Sequence, residues 1–531
     1  MKKSRARNAD LSDGNEPDIS RSPIDRYAAV IVFVLIVLVY TVTNLQLFPR
    51  LPITTRKADT IANYDMYYPP FRTDEYNYYS ISRNILSGEL YKEGSFERAY
   101  PMGFPLIAAP FVAVFGERGG YVANLVLCVL SAWLFFLLIR RYNSRTGVLA
   151  LVLAVAFATL NWFYAVSNYS EPLAQVLIVA SLYMIMRNRD GKAVIRDQIL
   201  AGVCLALTLF VRPHYIVLAL PFTIALWYRA GRGFTVRNDG VAFTLGAGAV
   251  ILVWLVRNSY VFGSPLTFEY TRMLASFTPG SEGNFLKGNV FTGTHRLLFD
   301  EFHGLVTITP IVLLFPAGVR AMWKRGLKPE ASMLVAGVVL MILLFASGPY
   351  PFTEFGLGSR HMMPMFPLLL FPVVFFLDST IFTRSIVAVC ALYSFYYAGI
   401  GWFTGTYPGF GIFPAFLHDS HARAIILSRK GELPPRTYGS TQELMKAHRD
   451  ALNKADMYRF LQTLNPEVRR KIVGNEREFM LYWKFHQQMI SQKIKKADPD
   501  SGIIYEDFRF TPQQQQTGQP PEADPSSQQK K

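Results

Sequence analysis

Charge is scarce in this chain. Of its 531 residues only 17% are Asp, Glu, Lys or Arg, against about 25% in ordinary globular domains, and the mean hydropathy is positive at +0.20. That deficit argues against a soluble protein and for long segments that meet lipid instead of water. Cysteine is nearly absent as well. Cys128, Cys204 and Cys390 each fall inside an apolar run, where a thiol acts as a small hydrophobe, so a disulfide framework is not expected. No Cys-x-x-Cys and no His-Glu-x-x-His occurs, and the eight histidines are scattered, which removes the usual zinc patterns. Neither a Walker loop nor a Gly-rich dinucleotide fingerprint follows a strand, which argues against direct nucleotide use.

What the chain does have is apolar length. Roughly eleven runs approach the 17 to 25 residues that span about 30 Å of hydrocarbon. They lie near 27–48, 120–139, 146–164, 171–186, 197–212, 214–228, 240–257, 303–319, 331–348, 361–377 and 385–403. In lipid every backbone amide must be satisfied within its own segment, so each run predicts a helix. The expected fold class is all-α, a polytopic transmembrane bundle of about eleven helices. The first run follows a basic, polar stretch, residues 1–26. It is too long for the apolar part of a signal peptide and no small-x-small cleavage site closes it, so a retained first transmembrane helix is expected.

The net charge of +16 does not call for a nucleic-acid partner, because the basic residues fall mainly between apolar runs and at the termini. Arg140, Arg141 and Arg145, then Arg187, Arg189, Lys192 and Arg196, then Arg229, Arg232 and Arg237 lie on one side. Arg320, Lys324, Arg325, Lys328 and Arg384 join them. By the positive-inside rule this side is cytoplasmic, and an odd helix count puts the C-terminal region outside. The implied location is the inner (plasma) membrane, crossed many times. Two large outer loops follow, 49–119 and 258–302. The first holds Phe104 to Phe115, too short to span and expected as an interfacial helix. After Phe403 the composition turns polar: 404–510 reads as a small helical extracytoplasmic region, and 511–531, rich in Gln, Pro and Ser, as a disordered tail.

The sharpest chemical signal is Thr73-Asp74-Glu75-Tyr76-Asn77-Tyr78-Tyr79 in the first outer loop. Adjacent carboxylates near a membrane surface can serve a reaction that needs a base to deprotonate an attacking hydroxyl. The same residues also fit a helix start, with Thr73 as N-cap and the two acids favouring the dipole. Asp74 and Glu75 could in addition offer oxygen ligands to a divalent cation, although metal-free chemistry is the preferred expectation.

Asp74-Glu75-x-x-Tyr78 with Ser82, Asn84-Ile85-Leu86 and Gly88 is followed by Tyr100-Pro101-Met102-Gly103-Phe104-Pro105 and Phe115-Gly116. This series resembles the first luminal loop of the polytopic GT-C glycosyltransferases, which include protein O-mannosyltransferases and the aminoarabinose transferase of lipid A. Ser170-Glu171-Pro172-Leu173, Phe210-Val211-Arg212-Pro213, Arg257-Asn258, Phe262-Gly263-Ser264-Pro265, His303-Gly304-Leu305 to Pro310 and Gly358-Ser359-Arg360-His361 to Pro364 also match family habits, all at outer helix ends. Ser82 departs from the Ala more often seen, and nothing after Phe403 matches.

The resemblance implies a membrane glycosyltransferase that moves a sugar from a polyprenyl-phosphate donor to a hydroxyl of a lipid, glycan or protein on the extracytoplasmic face. It implies Asp74, paired with Glu75, as the catalytic base of an inverting reaction. An anionic lipid-phosphate leaving group asks for cations, and Arg meets phosphate with a bidentate fork. Arg360, Arg257 and Arg212 are therefore expected to bind it, with His361 as a neighbour. Each could instead snorkel to the headgroups. Glu171 reads first as a helix cap and second as a substrate contact, beside Asn168, Tyr169 and Ser170 as bonders of sugar hydroxyls. Tyr78 and its aromatic neighbours could stack on a sugar or anchor the loop. The alternative reading is a transporter or flippase of lipid-linked substrates, disfavoured because the helix centres are nearly free of charge.

Overall fold

The computed structural model describes residues 23–47, 73–90, 100–142, 146–187, 195–228, 238–267, 288–299, 304–348, 360–377 and 381–403, with a few further residues near 269 and 443–447. All regular structure among the described residues is helical. The chain divides into two compact units. One comprises Met1–Leu47 with Asp74–Thr406 and contains nearly all described residues. The other, Phe48–Thr73 with Tyr407–Lys531, lies almost wholly outside them, and so do the expected C-terminal helical region and tail.

The helices are α1 (Pro23–Leu47), α2 (Thr73–Ser87), α3 (Gly103–Phe115), α4 (Gly119–Ile139), α5 (Thr146–Phe157), α6 (Asn161–Ala165), α7 (Glu171–Arg187) and α8 (Ile195–Leu207). There follow α9 (Ala219–Tyr228), α10 (Asn238–Phe262), α11 (Val290–Phe299), α12 (Leu305–Ile308), α13 (Phe315–Lys324), α14 (Lys328–Ala346), α15 (Phe366–Leu370) and α16 (Ile381–Phe403). Four stretches are long and apolar enough to cross a membrane: Tyr27–Leu45, Gly103–Ile139, Asp239–Phe262 and Lys328–Ala346. The second is two helices. At Gly116 φ is +60°, a conformation that favours glycine, and the chain doubles back. A Cβ on Gly119 would then lie 2.3 Å from the Val112 backbone nitrogen.

Apolar side chains such as Val30, Ile31 and Val34 of α1, and Leu252, Val253 and Val256 of α10, are exposed on these helices. Contiguous exposed apolar faces on helices of spanning length fit hydrocarbon, not water, and the chain is a multi-pass membrane protein.

Every apolar run read from the sequence is helical where described, but several are interrupted. The run 146–164 breaks at Ala158–Leu160 without a proline; in three others proline is the cause, since it removes a backbone donor and crowds the preceding turn. The run near 214–228 opens with a 3-10 helix from Pro213 to Leu218, 303–319 breaks at Pro310, and 361–377 is split around Pro364, Pro367 and Pro372. In lipid, apolar side chains gain little by meeting each other instead of the equally apolar tails, so close approach at small residues matters most. The crossing of α8 and α10 shows this: a Cβ on Gly202 would sit 2.1 Å from the Phe243 carbonyl oxygen, and one on Gly246 2.1 Å from that of Ile199.

The core of the bundle is α7, buried on nearly every side. Gln175 donates through Nε2 to Asn161 Oδ1 at 2.9 Å and to the Met363 carbonyl at 3.0 Å. This ties α7 to the 3-10 helix Arg360–Met365. The N-terminus of α7 carries the polar cluster described next.

Candidate functional site

Glu171 opens α7, and its side chain is fully buried. Three cationic or basic groups approach its Oε1: Arg212 Nη2 at 2.8 Å, Arg360 Nε at 3.3 Å and His361 Nδ1 at 3.8 Å. Both arginines are buried too. Neither snorkels to the membrane surface, and Glu171 does far more than begin a helix. Its Oε2 has no hydrogen-bond partner among the described residues, and the same holds for Nε2 of His214.

Local chain chemistry explains the convergence. Helix α8 ends at Leu207, a 3-10 turn covers Thr208–Phe210, and Arg212 is extended with φ −154° and ψ 97°. The residue before a proline is driven out of the helical region, and Pro213 does this to Arg212. Its backbone nitrogen donates to the Thr208 carbonyl at 2.7 Å, which fixes where the guanidinium starts. Arg212 Nε donates to Ser170 Oγ at 2.9 Å, and that hydroxyl is 3.1 Å from the Tyr78 hydroxyl. Arg360 opens its own 3-10 helix and lies over the Tyr169 ring, 4.9 Å from its centroid. His361 stacks on Phe345 at 5.2 Å, meets His214 edge-on at 5.4 Å, and its carbonyl accepts the Tyr215 hydroxyl at 2.7 Å.

Glu75 occupies an adjoining pocket on the first turn of α2. The Asn168 backbone N–H donates to Glu75 Oε1 at 2.9 Å, and the Tyr121 hydroxyl reaches Oε2 at 3.4 Å. Asn168 Nδ2 donates in turn to the Glu75 carbonyl at 2.7 Å. Asn124 of α4 steadies the same loop by donating to the carbonyls of Ser167 and Tyr169, both at 2.8 Å. Asp74 is the second residue of α2; its side chain lies outside the described residues. Tyr78 is fully buried with edge contacts to Tyr100 and Phe104.

The structure thus joins Glu171, Arg212, Arg360, His361 and Tyr78 in one cluster and seats Glu75 beside it. Arg257, in the last turns of α10, contacts Glu269 Oε1 through Nη1, donates to Asn258 Oδ1 at 3.0 Å, and its guanidinium lies 5.1 Å from the Phe262 ring centroid. The expected roles of Asn168 and Ser170 toward sugar hydroxyls meet prior commitments, since both already bond to protein groups. His214, Tyr215 and Tyr121 went unnoticed in the sequence; the run Arg212-Pro213-His214-Tyr215 was the signal that could have found two of them. Among the described residues no three metal-ligating side chains gather. A separate open cleft of about 340 Å³, lined by Tyr79, Arg83, Leu86, Ser87, Val112 and Gly116, shares no residue with the cluster.

No protein-family model matches the chain, and no curated protein matches it. Among solved structures it is similar to ArnT from Cupriavidus metallidurans in the apo state, at 14% identity and a TM-score of 0.42, over 78% of this chain and 70% of that one. A likeness this distant carries nothing about activity, which is read below from the chain's own side chains.

Proposed function

We propose that this chain is a membrane glycosyltransferase of the GT-C type, moving a sugar from a polyprenyl-phosphate-linked donor to a hydroxyl of a lipid, glycan or protein on the extracytoplasmic face. The observation that carries this reading is the buried convergence of Arg212, Arg360 and His361 on Glu171, bonded through Ser170 and Asn168 to the helix that begins with Thr73 and Asp74.

The reaction breaks the bond between the anomeric carbon and the phosphate oxygen while the acceptor oxygen bonds to that carbon from the opposite face. The acceptor proton goes to a base, and the electron pair of the broken bond leaves on the lipid phosphate. Asp74 takes the proton in this reading. Arg212 and Arg360 meet the departing charge, and in a water-poor setting fixed cations of this kind stabilise developing charge strongly.

Asp74→Asn is expected to cut transfer by about 10²- to 10⁴-fold, the usual contribution of a positioned base, with insertion and thermal unfolding unchanged. The assay is purified protein with a labelled polyprenyl-phosphate sugar, joined to lipid and glycan profiling of cells that lack the protein. Wild-type turnover by that variant, or impermeant labelling that puts residue 74 in the cytosol, would defeat the proposal. The interrupted helices favour one rival, since transporters often break helices around their substrate. Reconstituted protein that moves a lipid-linked sugar across vesicles and never transfers it would establish that rival instead.

A further inference from the structure

Glu75 is placed unlike a reacting carboxylate. It is 2% exposed, and each of its oxygens receives a protein donor: Oε1 the Asn168 backbone N–H, Oε2 the Tyr121 hydroxyl. Asn168 also returns a bond from Nδ2 to the Glu75 carbonyl at 2.7 Å. The exchange is reciprocal, so side chain and backbone of the same helical residue are both fixed to one asparagine. Tyr78 repeats the attachment one turn later through Ser170, and Ser82 Oγ has its proton within reach of both the Tyr78 carbonyl at 2.9 Å and the Pro105 carbonyl at 3.2 Å.

The asparagine is itself held in place by an absence of side chain. A Cβ on Gly120 of α4 would fall 1.9 Å from Asn168 Oδ1, so glycine leaves the Asn168 carboxamide where its Nδ2 reaches the Glu75 carbonyl. Three stretches distant in sequence, at 75, 120 and 168, therefore meet at one contact. In the chain Asp74 is next to Glu75, and Glu171 is three residues beyond Asn168.

We propose that Glu75 is a positioning residue and not a second catalytic or metal-binding carboxylate: with Asn168 and Gly120 it forms a clamp that fixes the first turn of α2, and so Asp74, against the Glu171–Arg212–Arg360 cluster. The proposal rests on the glycosyltransferase reading for the role of Asp74, while the clamp itself is a statement about packing.

The two roles for Glu75 separate on a conservative change. In Glu75→Gln the amide oxygen can still accept from Asn168 and the amide nitrogen can face the Tyr121 oxygen, so charge-assisted bonds become neutral ones. Activity is then expected to fall by less than about tenfold, the pH profile of kcat/KM keeping its shape, whereas loss of a base costs at least about 100-fold. Gly120→Ala alters no ionisable group and displaces Asn168; it should lower kcat by at least tenfold with little change in KM, since a misplaced group costs up to about 100-fold in rate. Glu75→Gln as inactive as Asp74→Asn, or Gly120→Ala with wild-type kcat, overturns the proposal.

The clamp also stands or falls apart from the chemistry. Thermal unfolding of Glu75→Ala, Gly120→Ala and the double variant should show a clear non-additive coupling, as groups in contact do; strictly additive losses overturn the clamp. If the wild-type protein transfers no sugar yet this coupling is present, the functional reading has failed and the clamp has not.

Discussion

Arg360 and Arg257 look alike on paper and are housed differently. Each stands at an end of an apolar helical stretch, meets a glutamate that is at most 1% exposed, and stacks on an aromatic ring, Tyr169 at 4.9 Å for one and Phe262 at 5.1 Å for the other. Arg360 shares its glutamate with Arg212 and His361, so three stretches far apart in sequence meet on one carboxylate. Arg257 takes a glutamate 12 residues on in the chain, and its side chain keeps 16% of its exposure against 8% for Arg360. The first arrangement organises the bundle and concentrates charge inside it; the second closes a local turn at a helix end. A cation at a helix terminus can therefore be part of a site or a fastening, and only its partner's origin distinguishes the two.

The largest expected effect tests that distinction directly. Glu171→Ala leaves two buried guanidiniums without their shared carboxylate, and removing one member of a buried ion pair costs about 3–5 kcal/mol. Glu269→Ala takes the carboxylate from one guanidinium that water can reach and that also bonds Asn258 Oδ1, and a loss of about 1 kcal/mol is expected, nearer the exposed-pair range. Thermal unfolding of the two purified variants in the same detergent checks both. Equal losses would erase the difference in housing on which the comparison depends.

These residues also show what sequence could and could not carry. The spanning helices were legible because lipid imposes a single rule, an apolar run long enough to satisfy its own backbone. The interruptions at Pro213, Pro310 and Pro364 were written in the chain as well, but apolar length alone does not register them. Glu171 was another matter. Ser170-Glu171-Pro172 is what an ordinary helix start looks like, and nothing local says that Arg212 and Arg360 fold onto it. The same holds for Glu75, whose neighbour Asp74 made it look like half of an acidic pair until Asn168 and Tyr121 supplied its partners. Pairing across the fold is invisible to any window along the chain, whereas composition and proline placement are not. The region after Phe403, read from composition as helical to 510 and disordered beyond, lies almost entirely beyond the described residues.

A second test moves from stability to rate. On the glycosyltransferase reading, Arg360→Lys keeps the charge but loses the planar fork that can hold a carboxylate and a phosphate together, so kcat/KM should drop by at least about tenfold. Arg257→Lys, whose carboxylate partner is Glu269, should drop it by less than about threefold by the same measure. Steady-state transfer with the labelled lipid donor reads both. Matching losses would count Arg257 among the site residues.

The smallest effect concerns the rings beneath the two guanidiniums. A cation over an aromatic face gains about 0.5–1 kcal/mol where water has access and about 2 kcal/mol or more where it has none. Tyr169 is 1% exposed and Arg360 lies above it in the interior of the cluster, so Tyr169→Leu should lose the larger figure. Phe262→Leu, beneath the more exposed Arg257, should lose the smaller one. Both replacements also remove part of a buried ring, a shared cost that cancels approximately in the difference between them. That difference, read from the two unfolding curves, isolates the dielectric around each arginine. If Phe262→Leu proves as damaging as Tyr169→Leu, the turn at the end of α10 is as dry as the cluster, and the two arginines differ only in how many partners they hold.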